Sequence, residues 1–153
     1  MTQWNKETSL WLVRAVAISA VAAMLVIPAK SIFAQGATAA PTPWVAPDDA
    51  RKVKNPVPVT PESLAAGAQT FKDNCMLCHG EKGMGDGPGA KTIKVKPANF
   101  TDAKLLALET DGSLFWKMSN GRGPMPSWKD DLSETERWQL VNYIRKLNKD
   151  ANK

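Results

Sequence analysis

Histidine occurs once in this 153-residue chain and cysteine only twice. A single imidazole excludes every site that needs two: His-rich zinc centres, bis-His haem and dicopper sites. Two cysteines are too few for a disulfide scaffold. No segment sustains period-2 alternation, so a sheet is not expected, and no internal repeat is present. A dense basic stripe is also missing. The net charge of +5 is mildly basic, which argues against a nucleic-acid binder and suits an acidic protein partner. The bulk composition is ordinary, with 43% hydrophobic and 23% charged residues. That excludes a disordered tail, a collagen-like chain and a polytopic membrane protein. The length allows one domain and an extension.

Residues 1–34 read as a signal peptide or N-terminal anchor. Lys6 and Arg14 are positive, Ala15–Ile27 is uncharged and largely apolar, and Pro28 ends the run. Ala34 and Ala37-Thr38-Ala39 offer small residues for cleavage. The uncleaved alternative, a span over Leu10–Ile27, places Arg14 inside the apolar stretch. Either reading exports the rest of the chain. Residues 35–59 form a Pro/Ala-rich linker. Pro41, Pro43, Pro47, Pro56 and Pro58 forbid a long helix and favour an extended spacer, with Trp44 and Val45 available to tack it onto the domain.

The domain itself is expected over residues 60–149, followed by a short tail at 150–153, and its pattern is all-α. Thr60 is a good N-cap, Pro61 suits the first helical position and Glu62 complements the helix dipole. Leu64, Ala68, Phe71 and Cys75 recur on one helix face. Ser133 and Glu136 make a capping box for a last helix that carries Trp138, Val141, Ile144 and Leu147. Shorter helices are expected over Asp111–Asn120, stopped by Gly121, and over Ala103–Leu108. Gly80–Asn99 is punctuated by Gly and Pro and reads as loop. A helical domain of this size needs a staple or a large cofactor to stabilise it.

Cys75-Met76-Leu77-Cys78-His79 supplies one. C-x-x-C-H is the attachment signature of haem c. Two thiols three residues apart at a helix end both reach one porphyrin edge, each to form a thioether. His79, next in line, is then placed beneath the iron as the proximal ligand. A thioredoxin-like motif expects a strand–helix setting that is missing. Half a zinc site needs two more ligands, and no other Cys or His exists. A Cys75–Cys78 disulfide closes a tiny loop and stabilises little.

With one histidine, the sixth iron ligand must be of another kind, and low-spin haem commonly takes Met. Met125 is the candidate, 46 residues after His79. It sits in Gly121-Arg122-Gly123-Pro124-Met125-Pro126, where glycines allow close approach and prolines stiffen the loop. Met118 reads as core packing; Met118, Met84 or an open site are the alternatives. Gly85-Asp86-Gly87-Pro88-Gly89-Ala90 fits G-x-G-x-x-A, but it follows no strand, so it reads as a tight loop and not as a dinucleotide site. Trp116, Trp128 and Trp138 read as core or haem-wall residues.

Over Thr60–Lys149 the sequence resembles the class I c-type cytochromes. The resemblance rests on Cys75–His79, the Gly80–Pro88 run, Met125-Pro126 and the terminal helices. It implies an all-α class I cytochrome c fold, in which the first and last helices cross and enclose one covalent haem. It places Gly67 and Phe71 at the crossing, with Tyr143 as their aromatic partner. It also implies a loop-proline carbonyl on His79 Nδ1, for which Pro88 is the candidate, a bond that fixes the imidazole. Asn55-Pro56-Val57-Pro58, Asp111–Trp116 and Arg137-Trp138 resemble the small cytochromes that accompany membrane assemblies such as alternative complex III.

The expected function is that of an exported, periplasmic carrier of single electrons through a His79/Met125-ligated haem, with no substrate chemistry on the protein. Its partners are redox proteins, acidic at the docking face and steered by Lys82, Lys91, Lys94, Lys96, Lys117, Arg122 and Lys129. One alternative is a fixed subunit of a membrane-bound respiratory complex. Another is a haem enzyme or gas sensor with an open iron.

Overall fold

A computed structural model describes residues 43–153; the expected leader and the first part of the linker lie outside the described residues. The described residues form one compact unit beginning at Pro43. They hold six α-helices and no named strand: α1 (Asp48–Lys52), α2 (Pro61–Asn74), α3 (Met76–His79), α4 (Ala103–Leu108), α5 (Asp111–Asn120) and α6 (Glu134–Ala151), with a 3-10 turn at Pro88–Thr92. None of these helices is long and apolar enough to cross a membrane. The all-α expectation holds.

Local chemistry sets the helix ends. Thr60 caps α2 by accepting from the Ser63 amide while the Ser63 hydroxyl accepts from the Thr60 amide, and Pro61 opens the helix. Ser133 and Glu136 form the same reciprocal box at the start of α6. Gly121 ends α5 at a φ of 64°, a conformation that costs little only without a Cβ.

α2 and α6 cross where neither helix has a side chain in the way. A β-carbon at Gly67 would lie 2.3 Å from the Gln139 carbonyl oxygen and 3.0 Å from Tyr143 Cβ. One turn on, the Phe71 and Tyr143 rings meet at 5.4 Å. Around this crossing Phe71, Phe100, Leu106, Leu114, Met118 and the inward face of α6 form the core. The buried face of α2 is Ser63, Gly67, Thr70 and Phe71, rotated from the expected Leu64–Ala68–Phe71–Cys75 stripe. Helix contact selects small residues there, and Leu64, Ala68 and Cys75 are left half-buried beside it.

The described part of the linker is a packed strap. Ala46 is buried, and α1 lies so close to α5 that a β-carbon at Gly112 would stand 2.0 Å from the Ala50 carbonyl oxygen. Asn55 Nδ2 donates to the Trp138 carbonyl and to Asn142 Oδ1, while Asn142 Nδ2 donates to the Val57 and Pro58 carbonyls. Prolines kept this segment from forming a long helix, as expected, yet the Val57 and Pro58 carbonyls left outside any helix are what α6 grips. Trp44 does pack, under the Lys117 ammonium at 5.6 Å, whereas Val45 is exposed.

Candidate haem site

Cys75 breaks the line between α2 and α3. Its amide still donates to the Phe71 carbonyl, and its own carbonyl accepts from the Cys78 and His79 amides. This tight turn keeps Cys75, Cys78 and His79 together at the end of α2, with both cysteines free and half-buried. Burial, and then the neighbouring Cys78, pushes the Cys75 thiol up to about 12, so it stays protonated at neutral pH.

The chain after His79 folds back on this turn. The Gly85 amide donates to the His79 carbonyl at 2.8 Å and the Gly87 amide to the Cys78 carbonyl at 3.2 Å. A β-carbon at Gly87 would lie 2.3 Å from the Leu77 carbonyl oxygen, and one at Gly89 would lie 3.3 Å from Cys78 Sγ. The G-x-G-x-x-A run is therefore a cradle for the cysteine turn, followed by a 3-10 turn and not by the long helix of a nucleotide fold.

His79 is fixed on two sides. Its Nδ1 stands 3.1 Å from the Ala98 carbonyl, and its ring stacks on Phe100 at 4.5 Å with planes 16° apart. The bond to Ala98 makes Nδ1 the protonated nitrogen and leaves Nε2 with a free lone pair. Burial holds the imidazole below its usual range, outweighing the Ala98 bond that raises it; both the tautomer and the neutral charge suit a metal ligand.

The expected carbonyl partner, Pro88, does not make this bond. Pro88 is exposed and opens the 3-10 turn. The first half of the loop is turned onto the cysteine helix by Gly85 and Gly87, so its far end, beyond Pro97, returns past the imidazole. Asn148 on α6 holds that end by donating to the Phe100 carbonyl at 3.1 Å. Sequence reading missed Ala98 because every residue carries a carbonyl; no side chain marked it.

Met125 ends a tight turn in which Arg122 and Met125 exchange both backbone hydrogen bonds, at 2.9 and 3.1 Å. Its side chain packs against the core cluster, as do Cys75 and Met76. Met118 is a buried core residue, as its helical position suggested, and Met84 is exposed. Trp138 is in the core, stacked on Phe115 at 3.9 Å; Trp128 packs half-buried against the core, and Trp116 is half-buried. Of the basic residues, Lys82, Lys91, Lys94, Lys96, Arg122 and Lys129 are exposed. Lys117 is not available for docking, because its ammonium is paired with Glu109.

The donor set fits a covalently bound haem: two thiols on one helical turn, an adjacent imidazole with Nε2 free, and glycines that pack the following loop against that turn. A c-type cytochrome of class I is the kind of protein that this fold and this turn define.

Comparisons agree. The model of the family described as cytochrome C oxidase, cbb3-type, subunit III matches residues 62–144. The chain is 38% identical over 93 residues to chloroplastic cytochrome c6 of Chlamydomonas reinhardtii, covering 58% of this chain and 57% of that one. It is 33% identical over 84 residues to the cbb3-type cytochrome c oxidase subunit FixP of Bradyrhizobium sp. (strain ORS 278), covering 54% and 27%. It is 32% identical over 78 residues to cytochrome c6 of Euglena gracilis, covering 51% and 85%. Among solved structures, a chain of the reducing HAO-like protein complex of Kuenenia stuttgartiensis aligns with a TM-score of 0.53 and 31% identity, over 62% of this chain and 49% of that one. The chain thus spans little more than half of the Chlamydomonas protein and about a quarter of FixP. The protein belongs to the cytochrome C oxidase, cbb3-type, subunit III family, within the class I c-type cytochromes, and its cofactor is covalent haem c.

Proposed function

We infer that this protein is an exported, periplasmic carrier of single electrons, with haem c bound through Cys75 and Cys78 and its iron held between His79 and Met125. The observation that carries the reading is the fixed imidazole. Its Nδ1 is engaged by Ala98 and its ring is stacked on Phe100, so Nε2 is presented at one set angle. The haem supplies a one-electron couple. The chain contributes rigidity: Gly87 and Gly89 pack the loop against the cysteine turn, and the Arg122–Met125 turn limits how far the thioether swings. Little protein movement accompanies a change of charge at such a site, which keeps transfer fast. A thioether ligand and an apolar surrounding both favour the reduced form, so a raised potential is expected.

Redox proteins with an acidic docking face are the partners. Lys91, Lys94 and Lys96 lie around a shallow depression of about 350 Å³ that also includes Gly85 and Gly87, beside the cysteine turn. This positive charge beside the cysteine turn supports steering of an acidic partner. A second reading, the same chemistry in a fixed subunit of a membrane complex, is favoured by the family match, whose model describes an oxidase subunit. Co-purification with a complex in detergent separates it from a free carrier.

The test is a mass and pyridine-haemochrome spectrum of the exported protein, together with the Met125→Ala variant. One haem on two thioethers is expected, with loss of the far-red sulfur-to-iron absorption and a lower potential in the variant. A variant with an unaltered spectrum overturns Met125 as the ligand.

A further inference from the structure

Arg137 is buried at 8% exposure, and among the described residues no carboxylate pairs with it. Its guanidinium lies over the Phe115 ring at 4.8 Å, donates through Nη1 to Ser119 Oγ, and directs Nε to the Ser133 carbonyl at 3.4 Å. A buried cation without a counter-charge is costly to desolvate. Its hydrogen bonds show where that cost is offset.

Ser119 stands in the last turn of α5, immediately before the loop that carries Met125. Both ends of that loop are fastened to this turn. On leaving, the backbone passes Gly121, where a β-carbon would stand 2.5 Å from the Pro126 carbonyl carbon. On returning, Ser127 Oγ donates to the Ser119 carbonyl at 2.6 Å and the Trp128 amide to the Met118 carbonyl at 3.0 Å. Ser119 is therefore held on its hydroxyl by Arg137 and holds Ser127 through its carbonyl. α6, the helix braced against α2 at Gly67, reaches the methionine loop by this relay.

We propose that Arg137 is a positioning residue for the axial methionine: through Ser119 and Ser127 it clamps the 121–127 loop and thereby keeps the Met125 thioether on the iron. The proposal rests on Met125 as the ligand. The charge strengthens the bond to a neutral hydroxyl, and the stacked ring fixes the plane of the guanidinium. Weakening either joint leaves the fold in place but lets the loop open more often.

Imidazole binding to the ferric holoprotein reads this opening directly, because imidazole takes the sixth position only when the thioether leaves. Ser127→Ala removes the joint on the loop side, and Arg137→Met removes the charge and the fork while keeping the length. Both are expected to raise imidazole affinity, by roughly tenfold for Arg137→Met and up to that for Ser127→Ala, the order of effect of losing one charge-assisted or part-buried hydrogen bond. Arg137→Lys, which keeps the charge but not the planar fork, should fall between Arg137→Met and the parent protein. Ile144→Val, a mild core truncation remote from the relay, should bind imidazole as the parent does. Where Arg137→Met fails to retain haem, Ser127→Ala carries the test. Parent-like affinity in Ser127→Ala and Arg137→Met overturns the proposal, as does an equal rise in Ile144→Val. Met125→Ala separates the underlying reading: if it binds imidazole no more tightly than the parent, Met125 is not the ligand and both inferences fall.

Discussion

Gly67 on α2 and Gln139 on α6 approach so closely that a β-carbon on the first would lie 2.3 Å from the carbonyl oxygen of the second. Backbone touches backbone here, and neither helix can retreat without separating Phe71 from Tyr143. Gly67→Ala is therefore expected to destabilise the holoprotein by about 1–3 kcal/mol or more, the range for overpacking a filled site. Helix propensity alone would favour the alanine, so denaturation of the two proteins in guanidinium has opposite expected signs under the two effects. A stabilised variant would show that the helices can separate freely.

The strap gives a second expectation. Asn142 is buried and serves Asn55, Val57 and Pro58 at once. Asn142→Leu removes the donor to the Val57 carbonyl, while the Pro58 carbonyl keeps the Ser63 hydroxyl and the Asn55 amide keeps the Trp138 carbonyl. A loss of about 1–3 kcal/mol in all is expected, mainly from the half-buried Val57 carbonyl and the lost Asn55–Asn142 bond. Limited proteolysis should then cut within residues 53–59 before any helix of the core, a site the parent protein protects.

Docking charge is divided in a way that kinetics resolves. Lys91, Lys94 and Lys96 are free to face a partner, whereas Lys117 is committed to Glu109. Reduction by an acidic redox protein should slow in Lys91→Glu/Lys94→Glu and lose much of its dependence on ionic strength. Lys117→Gln should leave that salt dependence as it was, although its stability falls because Glu109 loses its pair. Stopped-flow rates across a salt series check both.

Acid stability carries a signature of the α6 cap. Hydrogen bonds from the Ser133 hydroxyl and amide hold the Glu136 carboxyl below its ordinary value of 4.5. A lowered folded value means stabilisation that is complete above the unfolded value and is lost as pH falls through the folded one. The parent protein should accordingly exceed Glu136→Gln in thermal midpoint at neutral pH, and the two should converge as pH falls through the lowered carboxyl value. A gap that is constant across the titration would assign the effect to something other than the carboxylate.

Much of this fold was legible because helix ends are written locally. Thr60-Pro61 and Ser133–Glu136 need no distant partner to act, and both cap where expected. C-x-x-C-H was equally local. What escaped was information held by backbone. Hydrophobic periodicity put the wrong face of α2 inward, although the family resemblance had placed Gly67 at the crossing. The carbonyl that fixes His79 belongs to Ala98 instead of Pro88, a choice made by how far the intervening loop travels before turning back. Residues 43–59 looked like a spacer because their prolines prevent long regular structure. Their docking depends on Asn55 meeting Asn142, 87 residues away, a pairing that only the assembled helices create.

That clasp also decides where mechanical load goes. Pulling on the polypeptide upstream of Pro43 draws first on α1 and then on the Asn55–Asn142 knot, which transfers tension sideways into α6 before it reaches Thr60. The helix leading to Cys75 is thus shielded from whatever tugs at its own N-terminal side.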